Sequence, residues 1–426
     1  RDRFDSIFFL LYLSRLFLDV LLKIVDRQRR LSSLLDCGFL LFVAWKSVPS
    51  RIKQLNMLSP QYFSKIFERA FRELNIKERA MAVYRGEEPD RIPWLIYEPL
   101  CPRGYMARIL RNKGLGLKVS APVWRTETPH VKVETRTVGD IICETFHTPL
   151  GEVSMKRKIG LREGAGGSWI VEHPIKSLSD FEIVEFIVED TVYAPDYEPL
   201  IRAEENLGGD GIVYVWAGRS PIQEMQVELM GYRMFAVSLY RYPKEFESLY
   251  RVLEKRADER YRIISESPVE IVNGTDNINS EIVSPKLYEK YVMPFYEKQA
   301  NLLHRRGKIL EDHMDGKLKR LKNLISETAL DVVEAFTPPP MGDLTLAEAR
   351  AAWKDKVISL NFPESVFLEG LEAVEKQAIK ILREAGRGDN LIITVTEDIP
   401  PKYRWAGLST ITDVLEKYGS YPLNLK

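Results

Sequence analysis

Eight short runs of β-branched and apolar residues punctuate this chain, at 91–97, 117–123, 212–216, 269–274, 308–312, 330–336, 357–361 and 391–395. Between the later runs lie stretches at 285–306, 316–328, 344–353 and 364–385 whose apolar residues recur every three or four positions, the period of a helix with one buried face. A strand that returns to its sheet through a helix runs parallel to its neighbour, because the crossover brings the chain back to the same end. Eight such units predict an α/β fold of the closed kind, a (β/α)8 TIM barrel. One segment departs from the pattern. From 131 to 171 charged and apolar residues alternate singly around Pro149-Leu150-Gly151, which predicts antiparallel hairpins inserted after the second strand.

In such a barrel the chemistry sits where loops leave the C-terminal ends of the strands, so polar residues there are the candidates. Glu98 follows the first run and Trp216 ends the third. Asn273, Asp276 and Asn277 close the fourth, His313 and Asp315 follow the fifth, and Glu334 interrupts the sixth. Asn361 ends the seventh and Glu397 follows the eighth. His313, Asp315, Glu334 and Glu397 can face one bowl, and imidazole with carboxylates suits zinc or another divalent metal that keeps a position open for substrate. The expected ligands are His313, Glu334 and Glu397, with Asp315 as a fourth or supporting group. The charge is balanced, 61 Lys+Arg against 61 Asp+Glu, so the basic footprint of a nucleic-acid partner is missing. Cys37, Cys101 and Cys143 are too scattered for a disulfide framework or a thiolate zinc module, and a reducing cytoplasm is the expected setting.

The first 56 residues have a different character. Two apolar runs, 7–25 and 34–48, flank a basic Arg27-Gln28-Arg29-Arg30, but Arg15 and Asp19 interrupt the first and the second is shorter than the ~20 residues a spanning helix needs. A membrane span is not expected. The sequence reads as an appendage at 1–56 and a barrel at 57–426, since a polar, helix-like stretch starts at Met57 in the manner of a natural beginning.

Between 273 and 343 a series of motifs succeed one another. Asp276 follows a strand, Ser284-Pro285 opens a helix, and Pro294-Phe295-Tyr296 comes next. Gly307-Lys308-Ile309-Leu310 then leads into His313-x-x-Gly316, and Pro339-Pro340-Met341-Gly342-Asp343 follows the next strand. This series resembles the uroporphyrinogen decarboxylase superfamily, and the resemblance runs from about Met57 to the C-terminus. It implies the same barrel and a choice of chemistries. The decarboxylase branch carries an arginine-rich segment near its start; here only Pro93 and Trp94 match it, and the acidic Glu98 lies where cations would bind the substrate's carboxylates. The methyltransferase branch holds zinc with His-x-Cys and a second Cys; here His313-Met314-Asp315 and Thr396-Glu397-Asp398 stand in those places, with both thiols replaced by carboxylates. The resemblance thus implies a metal-dependent methyltransferase that takes a methyl group from an O-methyl donor, a methoxylated aromatic, to a corrinoid supplied by a partner protein. Within it Asp276, Asn277 or Tyr97 would move a proton, and Glu98, Trp94, Trp216, Asn273 and Asn361 would line the substrate. Decarboxylation of a tetrapyrrole, or non-catalytic binding of a corrinoid or tetrapyrrole, are the alternatives.

Overall fold

The computed structural model describes residues 73–161 and 167–425; the expected appendage at 1–56 and the start of the helix-like stretch at Met57 lie outside the described residues. In chain order the strands are β1 (Trp94–Tyr97), β2 (Leu115–Ser120), β3 (Trp124–Glu127), β4 (Lys132–Val138), β5 (Ile141–Thr148), β6 (Gly151–Lys158) and β7 (Trp169–Glu172). They continue with β8 (Val192–Pro195), β9 (Gly211–Gly218), β10 (Ile271–Gly274), β11 (Ile309–His313), β12 (Val332–Phe336), β13 (Val357–Asn361) and β14 (Leu391–Val395). Eight of them close a parallel barrel in the order β1-β14-β13-β12-β11-β10-β9-β2, with β2 returning to β1. All eight expected runs are barrel strands, most of them shifted or shortened by one to three residues.

Alternation along each strand splits the core in two. Leu95, Ile212, Tyr214, Ile271, Val332, Val357 and Ile392 form the interior cluster, whereas Trp94, Ile96, Val213, Val215, Val272 and Ile393 pack outward against the helices. The helix Ile76–Tyr84 supplies Ala80, Met81, Val83 and Tyr84 to the interior cluster and ties Lys77 N–H to Gly209 O before β9, so it floors the N-terminal end of the barrel. Asn75 caps that helix, accepting from Glu78 N–H while the Glu78 carboxylate accepts from Asn75 N–H, which removes two otherwise unpaired donors.

The predicted insertion is a four-stranded antiparallel sheet, β4-β5-β6-β7, packed on the helix Asp180–Asp190. The sequence did not announce the two-stranded ribbon β3-β8, which pairs Trp124 with Pro195 and carries the chain out to the insertion and back. The expected helix at 316–328 is real only over Lys322–Glu327; ahead of it the N–H groups of Leu318 and Lys319 donate to Asp343 Oδ1 at 2.9 and 3.0 Å, an alternative to helical bonding. The stretch 285–306 is helical but widens into a π turn over Tyr288–Val292 just before Pro294, which has no N–H to give to the preceding turn. No helix among the described residues is long and apolar enough to cross a membrane.

Candidate metal centre at the barrel mouth

The strand period that fills the lower barrel with apolar residues places charged ones above them. On β11 the inward positions are Ile309, Glu311 and His313; on β12 they are Val332 and Glu334, and His313 stands level with Glu334 in the register. His313 is the last residue of its strand and is 7% exposed. Its Nε2 faces Asp315 Oδ2 at 3.8 Å and Glu397 Oε1 at 3.7 Å. Each of the three residues offers one ligand atom, all within 4.8 Å of one another. Donors bonded at ~2.1 Å to one tetrahedral zinc would stand roughly 3.4 Å apart, so small side-chain movements suffice to fit an ion. Neither cysteine among the described residues belongs to this group, and the Cys101 thiol is pushed up to about 11 by burial.

Glu334, expected among the ligands, stands behind His313 instead. Its Oε2 lies 2.9 Å from His313 Nδ1, while its Oε1 accepts from Tyr97 O–H at 2.8 Å and Lys118 Nζ at 2.9 Å. With both oxygens engaged it orients the imidazole, and Asp315 takes the forward place that the sequence assigned to Glu334. Lys118 Nζ also lies 2.6 Å from Glu311 Oε1, and all three charged side chains are fully buried. Glu311 is held further by Tyr84 O–H at 2.8 Å and Asn273 Nδ2 at 2.5 Å. This network runs from the floor helix to the mouth.

Its electrostatics follow from the partners. Burial alone would raise the Glu334 carboxyl, but the Lys118 ammonium and the His313 hydrogen bond overcome it and hold the group at about 2. Burial likewise lowers His313, yet Asp315 and Glu334 reverse the sign and raise it well above the usual imidazole value. Glu311 is raised, first by burial and then by the neighbouring Glu334 charge, against the pull of Lys118. One cation thus serves two carboxylates, and the balance of burial and charge favours ionisation more strongly at Glu334 than at Glu311.

The remaining expected residues divide sharply. Tyr97 and Trp216 face the interior and meet edge to face at 5.7 Å, with Tyr214 completing the cluster. Trp94 is corrected: one position from Leu95, it points outward, donates Nε1–H to Thr412 Oγ1 at 3.1 Å and belongs to the outer core. Asp276 is also corrected as a proton donor, because it is fully buried and accepts from Ser220 N–H at 2.7 Å and Tyr296 O–H at 3.1 Å, which ties its loop to the one after β9 and to the helix Met293–His304. Burial raises it, as burial and the nearby Asp276 raise Asp312. Asn277 and Glu98 are exposed. Asn273 braces Glu311, and Asn361 accepts Thr396 N–H at 2.9 Å while donating to Thr337 Oγ1 and Glu364 Oε2, so both amides position other groups.

Lys118, Glu311, Tyr84 and Glu364 escaped the sequence reading. The available signal was parity: Glu311 lies two residues before His313, and Lys118 interrupts the apolar run at 115–120 at an inward position. β12 carries its own irregularity, a register shift between Val333 and Phe336 with Ala335 at φ 56°, a left-handed conformation that costs an alanine free energy and marks a bulge beside Glu334.

The family described as "Uroporphyrinogen decarboxylase (URO-D)" matches residues 155–418, which spans the hairpin sheet from β6 onward, the last six barrel strands and all three members of the metal group. A solved structure, a methyltransferase from Methanosarcina mazei, is similar in fold, with a TM-score of 0.51 and 10% identity, over 81% of this chain and 99% of the other. No curated protein matches.

Proposed function

Because the chain belongs to the uroporphyrinogen decarboxylase family, we propose that it is a metal-dependent methyltransferase that moves a methyl group from an O-methyl donor, a methoxylated aromatic, to a corrinoid held by a separate protein. The observation that carries this reading is the group His313, Asp315 and Glu397, which gathers one imidazole and two carboxylates at the C-terminal mouth of the barrel. Zinc or another divalent ion bound there would act as a Lewis acid toward the ether oxygen, and oxygen-rich ligands keep such an ion hard.

The chain's own residues have separable parts. Glu334 accepts the Nδ1 hydrogen of His313, which fixes the tautomer and turns the Nε2 lone pair toward Asp315 and Glu397. Lys118 keeps Glu334 ionised for that task. Trp216 and Tyr97 offer an aromatic wall to an aryl ring. Of the expected proton carriers, Tyr97 has its hydroxyl 3.5 Å from His313 Nδ1 and donates it to Glu334 Oε1 at 2.8 Å, where it steadies that carboxylate. The phenolate left by methyl transfer then takes its proton from solvent at the mouth.

Decarboxylation of a polycarboxylated tetrapyrrole is disfavoured by the charge of the mouth, where the acidic Glu98, Asp315 and Glu397 stand. The deciding experiment mixes metal-loaded protein, a reduced corrinoid protein and a panel of methyl donors. The expected result is conversion of cobalt(I) to methyl-cobalt(III) absorption with methoxyarenes. Full metal occupancy and a corrinoid protein active with another methyltransferase, yet no methylation from any ether, alcohol or amine, would reject the reading.

A further inference from the structure

Away from the metal group, the hairpin insertion does not close completely on the barrel. Strands β5 and β6 turn Phe146, Val153 and Met155 to one face, with Phe146 opposite Val153 in the register, and the helix Asp180–Asp190 faces them with Val184, Ile187 and Val188 at helical spacing. Between these walls and Leu229 of the π turn Glu224–Met230 after β9 lies a cavity of about 210 Å3. It shares no residue with His313, Asp315 and Glu397. The Arg260 side chain, 8% exposed, closes one end, whereas Arg157 and Glu228, 35% and 34% exposed, stand where the cavity meets solvent.

The charged part of the wall is satisfied within the chain. Arg260 lies 3.6 Å from Glu224, Arg157 3.3 Å from Glu144, Arg256 2.8 Å from Glu259, and Glu228 3.1 Å from Arg219. A carboxylate or an ammonium entering the cavity would lose its hydration and find every counter-charge already engaged. The rest of the wall is apolar. A void of ~150 Å3 with walls of that kind stays dry and takes up benzene, so the larger volume here admits two fused rings. The side chains favour an aromatic occupant: Phe146 offers a ring, the Met155 thioether a polarisable sulfur, and the arginines a cation for a π face, as Arg260 already meets the Tyr193 ring at 5.6 Å.

We propose that the cavity between the hairpin insertion and the barrel is a second ligand site, one that takes a neutral aromatic molecule of about two fused rings. It stands independently of the chemistry at the mouth, so binding should be the same with and without zinc. The test titrates the full chain with naphthalene, 2-naphthoate and 2-naphthylmethylammonium, three probes that share a ring system and differ in charge. Naphthalene should bind with a dissociation constant of roughly 10–100 µM, ordinary for a ligand of its size, and each ion at least about tenfold more weakly. Val188→Phe and Leu229→Phe, which fill the void from opposite walls, should each weaken naphthalene binding by about tenfold or more and leave zinc affinity unchanged. Magnetic cross-relaxation between the naphthalene protons and the Met155 methyl group, assigned with Met155→Leu, reads the site in the unaltered protein and decides if either filled variant melts far below it. Equal or tighter binding of either ion, naphthalene binding that survives both filled variants without contact to Met155, or no naphthalene binding at all would overturn the proposal.

Discussion

Replacing Lys118 by Met removes one positive charge from the barrel interior while keeping most of its volume. The ammonium is fully buried, 2.6 Å from Glu311 and 2.9 Å from Glu334, so its loss leaves two carboxylates facing each other without a counter-ion. Breaking a buried ion pair by deleting one partner costs about 3–5 kcal/mol. At roughly 2 °C per kcal/mol for a chain of this length, the melting temperature should fall by roughly 6–10 °C. The double variant Lys118→Met/Glu311→Gln should recover part of that loss, because the amide can keep Tyr84 and Asn273 as neighbours while the carboxylate repulsion is gone. Melting curves at neutral pH measure both. A single-variant loss below 1 kcal/mol, or a double variant with strictly additive losses, would refute the claim that Lys118 holds the two carboxylates together.

Asp315→Asn and Glu397→Gln should each abolish stoichiometric zinc binding at micromolar metal, whereas Glu334→Gln, which keeps a hydrogen-bond acceptor on His313, should weaken it by about 10–100-fold; competition with a chromophoric chelator gives the order. Zinc affinity should rise with pH across the range above 6.5, because His313 is held protonated above its usual value and must lose that proton to bind. The same raised value means that its contribution to the stability of the metal-free protein is fully present below the ordinary imidazole pKa and fades as pH rises through the raised one. Glu334 works in the opposite sense: its contribution is complete above the ordinary carboxylate value and is lost as pH falls through about 2. Melting of the metal-free protein from pH 6 to 9 should therefore decline with pH, and saturating zinc should flatten the decline. Trp94→Ala should cost about 3–5 kcal/mol of stability through the cavity it leaves with little effect on donor affinity, because this side chain faces the helices; a selective loss of donor binding would contradict its placement.

The barrel was legible because the later apolar runs are separated by amphipathic stretches, and the period changes at each of those boundaries. His313 and Glu397 were legible because strand ends carry their side chains to a predictable rim. The exchange of Asp315 and Glu334 was not, since it depends on the lateral register of β11 and β12: His313 and Glu334 stand side by side, which turns Glu334 onto Nδ1, and the chain beyond the strand bends Asp315 back toward Nε2. Trp94 was misjudged because Trp94 and Leu95 are both apolar, so the alternation gives no parity there. Lys118 and Glu311 lie 193 positions apart in sequence, and nothing local marks either as the other's partner; only closure of the barrel brings them to 2.6 Å. Asp276 looked catalytic at a strand end, but a loop residue that accepts from Ser220 N–H and Tyr296 O–H uses the same side-chain chemistry for structure.

An oxygen-rich metal centre built on one histidine is open to zinc K-edge X-ray absorption of the purified, zinc-loaded protein. The spectrum should show one zinc per chain with only nitrogen and oxygen donors at ~2.0–2.2 Å, a single imidazole scattering pattern and its loss in His313→Ala. A sulfur shell near ~2.3 Å, or a bound zinc whose spectrum is the same in His313→Ala, would contradict it.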